Sequence, residues 1–211
     1  MENLNLQLYV VTDRAWLNGK QLEDDVEAAI LGGATIVQLR EKDLSSREFF
    51  ATAQKIKQVT DHYQIPLIIN DRLDIALAVD AAGLHVGQSD LPPAIARRLL
   101  GPGKILGVSV ANHEEAVQAE KDGADYLGAG AVFPTGTKQD ADYVDYLELQ
   151  SITRAVRIPV VAIGGINEAN ALQLKGSGIK GIAVVSAVFA KDDPQKAAAG
   201  MKRIVERIVS S

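Results

Sequence analysis

The chain has 211 residues, of which 47% are hydrophobic and 23% charged, and it contains no cysteine. This composition is typical of a single globular domain and excludes disulfides, cysteine-ligated zinc and a cysteine nucleophile. The formal charge of −5 disfavours a broad nucleic-acid-binding surface. Because the sequence shows neither a signal-peptide pattern nor an apolar run long enough to span a bilayer, we expect a cytoplasmic protein whose partners include neither nucleic acid nor membrane.

Eight short apolar runs rich in Val and Ile recur along the chain and predict buried strands. Several are apolar almost throughout, as in parallel strands that are covered on both faces. The runs are Leu8–Thr12, Thr35–Leu39, Pro66–Asn70, Gly83–Val86, Ile105–Val110, Tyr126–Ala129, Pro159–Ile163 and Gly181–Val185. Between them, helical periodicity is found at Leu22–Leu31, Arg47–Tyr63, His113–Lys121 and Pro194–Val209.

Glycines mark three transitions from helix to strand, at Gly33, Gly123 and Gly178, and we predict that each closes a helix in the left-handed conformation. Eight strand–helix units in this length average about 26 residues each, which is compact but sufficient for a barrel. The predicted fold is therefore α/β, a single-domain (β/α)8 TIM barrel over residues 1–211. An open doubly wound sheet is the alternative, but no G-x-G-x-x-G follows the first strand.

A dense polar set begins at the second predicted strand. Gln38, Arg40 and Lys42 are two residues apart, so strand alternation places their side chains on one face. The loops after the strands of a TIM barrel converge on one mouth, where two cations would need anionic partners. The alternative is that these are solvated loop residues beyond a strand that ends early.

Two aspartates follow the next two strands, Asp71 after the third and Asp90 after the fourth. Carboxylates that converge on one mouth beside cations predict a Mg2+ ion that also takes oxygens from a substrate phosphate. Helix capping by each aspartate is the alternative. His85 is interpreted as a hydrogen-bonded barrel residue rather than a metal ligand, and Ser109 as a hydrogen-bond donor to substrate.

The later loops predict a second anion site. A long loop after the sixth strand, from Phe133 to about Tyr146, is interpreted as an anion-binding lid, with a merely flexible loop as the alternative. Gly164–Asn167 and Val184–Ala187 follow the last two strands, where TIM barrels commonly hold a phosphate on backbone N–H groups. A tight turn capped by Asn167 is compatible with that interpretation. Two anion sites indicate a protein that joins or splits two phosphorylated molecules.

Five segments resemble, in this order, the thiamine-phosphate synthase family, also called thiamine-phosphate pyrophosphorylase. They are Gln38-Leu-Arg-Glu-Lys42, Ile69-Asn-Asp-Arg72, His85-Val-Gly-Gln-Ser-Asp90, Thr135-Gly-Thr-Lys138 and Ala162-Ile-Gly-Gly-Ile166. The resemblance implies a barrel-shaped transferase that couples 4-amino-2-methyl-5-hydroxymethylpyrimidine diphosphate to 4-methyl-5-(2-phosphoethyl)thiazole, or to its carboxylated form with loss of CO2. The products are thiamine phosphate and diphosphate, Mg2+ is the cofactor, and the mechanism is dissociative.

The resemblance also implies a role for each matching residue. The catalytic residues would be Arg40, Lys42, Ser109 and Lys138. The pyrimidine diphosphate would contact Gln38, Leu39, Arg40, Glu41, Lys42, Asn70, Ser109 and Lys138. The thiazole phosphate would contact Thr135, Gly136, Thr137, Gly165, Val185 and Ser186, and Mg2+ would bind Asp71 and Asp90.

Other functions are weighed against this one. A thiazole tautomerase shares the fold and the thiazole-phosphate end but lacks the full diphosphate and metal set. A non-catalytic phosphate-ligand-binding barrel predicts missing charged site residues, and none is missing from the sequence. A sugar-phosphate isomerase or epimerase would need an acid or base that the match does not supply. The expected partners are two small-molecule substrates, and a homo-oligomer is compatible with the sequence.

Overall fold

The computed structural model describes residues 4–17, 19–135 and 143–210, and its strands form one closed parallel barrel. The strands pair in chain order, and the first closes the ring by pairing with the last. They are β1 (Leu8–Val11), β2 (Ile36–Leu39), β3 (Leu67–Asn70), β4 (Gly83–Val86), β5 (Ile105–Val110), β6 (Tyr126–Ala129), β7 (Val160–Ile163) and β8 (Gly181–Val184). Each strand lies within one residue of its predicted bounds at either end, which confirms the predicted TIM barrel.

Helices connect the strands and cover the barrel. They are α1 (Leu22–Leu31), α2 (Ser46–His62), α3 (Leu73–Ala78), α4 (Pro93–Leu100), α5 (His113–Lys121), α6 (Tyr146–Ala155), α7 (Ser186–Phe189) and α8 (Pro194–Val209). The periodicity predictions are confirmed at α1, α2, α5 and α8; only α2 is shifted, by one residue. Its start is fixed by a capping box, in which Ser45 and Glu48 each accept a backbone N–H of the other.

The three predicted helix-closing glycines all have positive φ, +105° at Gly33, +92° at Gly123 and +89° at Gly178. The first two follow α1 and α5, as expected. Gly178 follows a short 3-10 helix, Ala171–Leu174, which takes the place of an α-helix between β7 and β8. The Asn170 side chain accepts from Asn167 N at 2.8 Å and ties this segment to the loop after β7.

The apolar core has two layers, one between the barrel and the helices and one inside the barrel. Apart from Leu6, which precedes β1, the inner layer consists of alternate strand residues that point inward, as barrel geometry requires. Its buried members are Leu6, Tyr9, Val11, Ile36, Ile68, Ile105, Tyr126, Val161 and Ala183. Toward the carboxyl ends of β2, β3, β4 and β5 the inward positions become polar, at Gln38, Asn70, His85 and Ser109, so the fold presents polar groups at that mouth. Within the described residues, none of the helices is long and apolar enough to cross a membrane.

Candidate active site

A cavity of about 460 Å³ opens at the carboxyl ends of the barrel strands. Its wall includes most of the residues that the sequence singled out. These are Gln38, Arg40, Lys42, Asn70, Asp71, Asp90, Ser109, Thr135, Gly165, Val185 and Ser186. The fold therefore brings both predicted anion-binding regions to one cavity, with the loops after β2, β3 and β4 on one side and those after β6, β7 and β8 on the other.

Of the predicted site residues, two that are described do not line this cavity, and three others fall outside the described part of the chain. Gly136, Thr137 and Lys138, and with them about half of the predicted lid, lie outside the described residues. The Leu39 side chain is fully buried in the layer under the helices. The Glu41 carboxylate accepts from Arg14 Nε at 2.7 Å and 2.8 Å and is almost entirely enclosed. Because strand alternation turns these two side chains away from the mouth, only their backbone is left for the predicted diphosphate contact.

Arg40 and Lys42 lie beyond the end of β2 but keep the alternation that starts at Gln38. Arg40 N donates to Thr12 Oγ1 at 3.0 Å, and the guanidinium lies 3.7 Å from an Asp13 carboxylate oxygen. Lys42 Nζ donates to Asp71 Oδ2 at 2.7 Å, and about half of its side chain is exposed. Both cations are thus held by neighbouring loops and reach the cavity, in agreement with the interpretation as an anion-binding pair.

The capping alternative for the two aspartates is wrong. Asp71 directly follows β3 with a φ of +60°, and its N–H donates to the His85 carbonyl, so the chain turns before α3 begins at Leu73. Asp90 Oδ2 accepts from Gly87 N at 2.8 Å. The N-cap residue of α3 is Arg72 and that of α4 is Pro92, so neither aspartate occupies the capping position. Both carboxylates instead face the cavity.

The two carboxylates repel each other electrostatically. Burial raises the pKa of the Asp90 carboxyl, and the contact with the Asp71 carboxylate raises it further, while Lys42 opposes the shift. Such a pair stabilises a bound cation. Among the described residues no group of three or more His, Cys, Asp or Glu could hold a metal, so a cation here would take two protein carboxylates and further oxygens from water or substrate. Hard oxygen donors in that number suit Mg2+ better than Zn2+.

A chain of hydrogen bonds crosses the barrel beneath the cavity. Gln38 Nε2 donates to Tyr9 Oη at 2.7 Å, and Tyr9 Oη lies 2.7 Å from Tyr126 Oη. Tyr126 Oη lies 2.9 Å from His85 Nδ1, and His85 Nε2 lies 2.9 Å from Ser109 Oγ. Burial raises the pKa of both phenols, so both are neutral. The prediction of a hydrogen-bonded His85 is confirmed, whereas sequence reasoning missed the two tyrosines, which it counted only as members of apolar runs.

The loops after β6 and β7 meet at the opposite end of the cavity. Gly165 has a φ of +66°, and a Cβ there would lie 2.4 Å from the Pro134 carbonyl oxygen, so only glycine fits this close approach. Phe133 N also donates to Gly164 O at 3.1 Å. This contact places Gly165 beside Thr135 on the cavity wall, and Ser186 joins them from the end of β8. Small residues and hydroxyls from three loops therefore surround one end of the cavity.

The chain is similar to known proteins over almost its whole length. Residues 8–188 match the family model described as thiamine monophosphate synthase. Thiamine-phosphate synthases from Clostridium beijerinckii and Clostridium tetani are 55% and 56% identical, over 94% and 93% of this chain and 95% and 94% of theirs. Thiamine phosphate pyrophosphorylase from Pyrococcus furiosus has a similar solved structure, with a TM-score of 0.89 and 44% identity over 97% of this chain and 98% of that one. The chain therefore belongs to the thiamine monophosphate synthase family.

Proposed function

We propose that this enzyme joins 4-amino-2-methyl-5-hydroxymethylpyrimidine diphosphate to a thiazole phosphate, giving thiamine phosphate and diphosphate. The observation that carries the proposal is the two-ended cavity. Cations and carboxylates follow β2, β3 and β4 at one end, while glycines and hydroxyls follow β6, β7 and β8 at the other. A reaction between two phosphorylated molecules needs two anion sites within reach of each other, and a cavity of about 460 Å³ has the size of a small-molecule site.

We assign the cation end to the pyrimidine diphosphate. Arg40 and Lys42, which line this end, would bind the diphosphate oxygens, and Asp71 and Asp90 would hold Mg2+. When bound, Mg2+ supplies positive charge that neutralises the leaving diphosphate. To bind this anion Lys42 would turn from Asp71, its present partner at 2.7 Å, to the diphosphate, and an Asp71 oxygen would then be available to hold the metal. Negative charge that develops on the leaving group would then be stabilised by the cations gathered around it.

The mechanism that fits these residues is dissociative. The diphosphate leaves first, the aminopyrimidine ring stabilises the resulting methylene cation, and the thiazole nitrogen attacks it. A protein nucleophile is not required. Although Ser109 contacts His85, the His85 nitrogen that would face a carboxylate in a Ser–His–Asp triad faces the Tyr126 hydroxyl. Ser109 therefore serves as a hydrogen-bond partner of the pyrimidine.

We assign the other end to the thiazole phosphate. Thr135 and Ser186 supply hydroxyl groups there, and Gly165 lets the backbone approach the phosphate closely. Two apolar residues that also line the cavity, Ile163 and Val185, cover part of its wall. A wall of this kind keeps water from the cation until the thiazole nitrogen reacts.

The direct test is to incubate the protein with Mg2+ and both substrates and to measure thiamine phosphate. We expect product with the wild type, and loss of product with Asp71→Ala or Lys42→Met. The matched control is Lys55→Met, which removes a lysine of equal charge that pairs with Glu23 on the outer surface. Equal activity of Lys42→Met and Lys55→Met would contradict the assignment of the cation end. Conversion of the carboxylated thiazole isomer without the pyrimidine would indicate a tautomerase instead.

A further inference from the structure

We propose that Tyr9, Tyr126 and His85 are positioning residues that fix the direction of the hydrogen bond offered by Ser109. The inference rests on the proposed function, because Ser109 lines the cavity where the pyrimidine would bind. Tyr9 and Tyr126 lie below the cavity and have no place in the mechanism above. The barrel hydrogen-bond chain, defined as Gln38, Tyr9, Tyr126, His85 and Ser109, connects them to the site.

The direction follows from counting protons along the chain. Gln38 Nε2 has no lone pair to offer and must donate to Tyr9 Oη. Tyr9 has one hydroxyl proton, it is buried, and Tyr126 Oη at 2.7 Å is the acceptor that the described structure provides for it. The Tyr9 hydroxyl therefore donates to Tyr126. The Tyr126 proton cannot point at Tyr9, whose own proton already occupies that contact, and His85 Nδ1 at 2.9 Å is the other acceptor that the described structure offers to this buried hydroxyl.

This order determines the state of the histidine. Because Nδ1 of His85 accepts from Tyr126, it carries no proton, and the neutral ring has its proton on Nε2. Nε2 then donates to Ser109 Oγ at 2.9 Å. The Ser109 oxygen is an acceptor toward His85, so its hydroxyl proton is available for the cavity. The hydrogen bond that Ser109 donates into the cavity would therefore go to an acceptor of the pyrimidine, such as a ring nitrogen.

Packing holds the chain in this arrangement. The Tyr9 and Tyr126 rings meet edge to face with centroids 5.8 Å apart, and the His85 and Tyr126 centroids are 5.5 Å apart. Gly107 lies against them, since a Cβ there would be 2.1 Å from Tyr126 Cζ and 2.5 Å from His85 Nδ1. The two rings therefore occupy the space that a side chain at position 107 would take. Because the rings are fixed, the hydroxyl groups stay within hydrogen-bond distance of each other. The donor direction that Gln38 imposes on Tyr9 therefore determines the direction of each later hydrogen bond up to Ser109.

The first test reads the proton positions without any reaction. The chain has three histidines, so ¹⁵N-histidine labelling gives few signals, and His85→Gln assigns those of His85. We expect a wild-type His85 with unprotonated Nδ1 and protonated Nε2, and a mixture of tautomers in Tyr126→Phe. Tyr63→Phe is the matched control, because the Tyr63 hydroxyl donates to Glu27 on the outer helices. A proton on Nδ1 in the wild type, or unchanged His85 signals in Tyr126→Phe, would overturn the proposal.

The second test separates positioning from structure by kinetics. Tyr126→Phe should lower kcat/KM for the pyrimidine diphosphate roughly fivefold, the effect of one misdirected hydrogen bond, and leave KM for the thiazole phosphate unchanged. In a Ser109→Ala background the same substitution should cause no further loss, because the chain acts through Ser109. If Tyr126→Phe lowered kcat/KM by the same factor in the wild type and in Ser109→Ala, the inference that Tyr126 acts through Ser109 would be refuted. Should Tyr126→Phe not fold, Tyr9→Phe interrupts the chain one bond earlier. If the wild type showed the expected His85 tautomer but no coupling activity, the proposed function would be refuted while the inferred direction of the barrel hydrogen-bond chain would still hold.

Discussion

The glycine at position 107 offers a quantitative test of the packing inside the barrel. Gly107 lies on β5 and points into the barrel, where its neighbours are the Tyr126 and His85 rings. A methyl group added by Gly107→Ala would begin 2.1 Å from Tyr126 Cζ and 2.3 Å from its Oη. The affected atoms belong to a fully buried ring and not to the end of a flexible side chain. Relief therefore requires a shift of the ring or of the strand.

The size of the effect follows from these distances. To reach a normal carbon–carbon contact of roughly 3.5 Å, the Tyr126 ring must move by about 1.4 Å. A shift of that size breaks the hydrogen bonds of 2.7 Å to Tyr9 and 2.9 Å to His85. Overpacking costs about 1–3 kcal/mol and each lost hydrogen bond about 1 kcal/mol, so the free energy of unfolding should fall by about 3–5 kcal/mol. For a domain of this length the expected decrease in Tm is roughly 6–20 °C.

Denaturant titration and thermal melting measure this change, and Gly103→Ala is the matched control. Gly103 precedes the same strand, its φ lies outside the positive range, and a Cβ there would meet nothing within 4 Å. We expect Gly103→Ala to stay within about 0.5 kcal/mol of the wild type or to be slightly more stable. Equal stability of the two variants would refute the packing argument. Loss of stability in Gly107→Ala with unchanged His85 tautomer signals would show that the ring does not move as described.

Three further predictions concern charges. Arg97→Met should lower the free energy of unfolding by about 2–4 kcal/mol in a denaturant titration, with coupling unchanged, because the guanidinium donates to three backbone carbonyls and to Asp125 far from the cavity. Asp90→Asn should abolish Mg2+-dependent coupling but stabilise the metal-free protein by up to about 0.5 kcal/mol. Because the pKa of Asp90 is raised in the folded protein, the wild type loses stability as the pH rises through the titration of this carboxyl. The difference in Tm between variant and wild type should therefore be present at pH 7 and vanish near pH 3. Lys42→Met should tighten Mg2+ binding to the substrate-free protein about fivefold in calorimetry, because the substitution frees Asp71 from an exposed ion pair. The same variant should lose coupling activity.

Most of the fold could be predicted because parallel strands buried on both faces leave a strong local signal. Runs such as Pro159–Ile163 are apolar throughout, and glycines such as Gly33 and Gly123 mark the preceding helix ends. The side-chain directions just after β2 were predictable for a similar local reason, because strand alternation alone places Arg40 on the cavity side and Glu41 on the opposite side. The family pattern treats that segment as one contiguous set and so does not distinguish the side chains that face the mouth from those that face away.

The hydrogen bonds inside the barrel could not be predicted from local pattern. Tyr9 and Tyr126 are 117 residues apart, and in an all-apolar run nothing distinguishes an inward tyrosine from one packed under a helix. The role of Asp71 was ambiguous for a different reason. An aspartate shortly before a helix is a normal cap, and only the positive φ of Asp71, a consequence of the turn after β3, moves the helix start beyond it.

The Lys42–Asp71 ion pair bears on how the substrate and Mg2+ would enter the proposed site. A diphosphate that arrived alone would have to take Lys42 from Asp71 and would leave that carboxylate beside Asp90 with less compensation. A cation that arrived alone would have to displace Lys42 from the same oxygen. When both arrive, Lys42 moves to the anion as the carboxylates receive the cation, so the pair is replaced and not merely broken. Each ligand therefore increases the affinity for the other by the same factor, and that factor should fall in Lys42→Met, where no pair has to be exchanged.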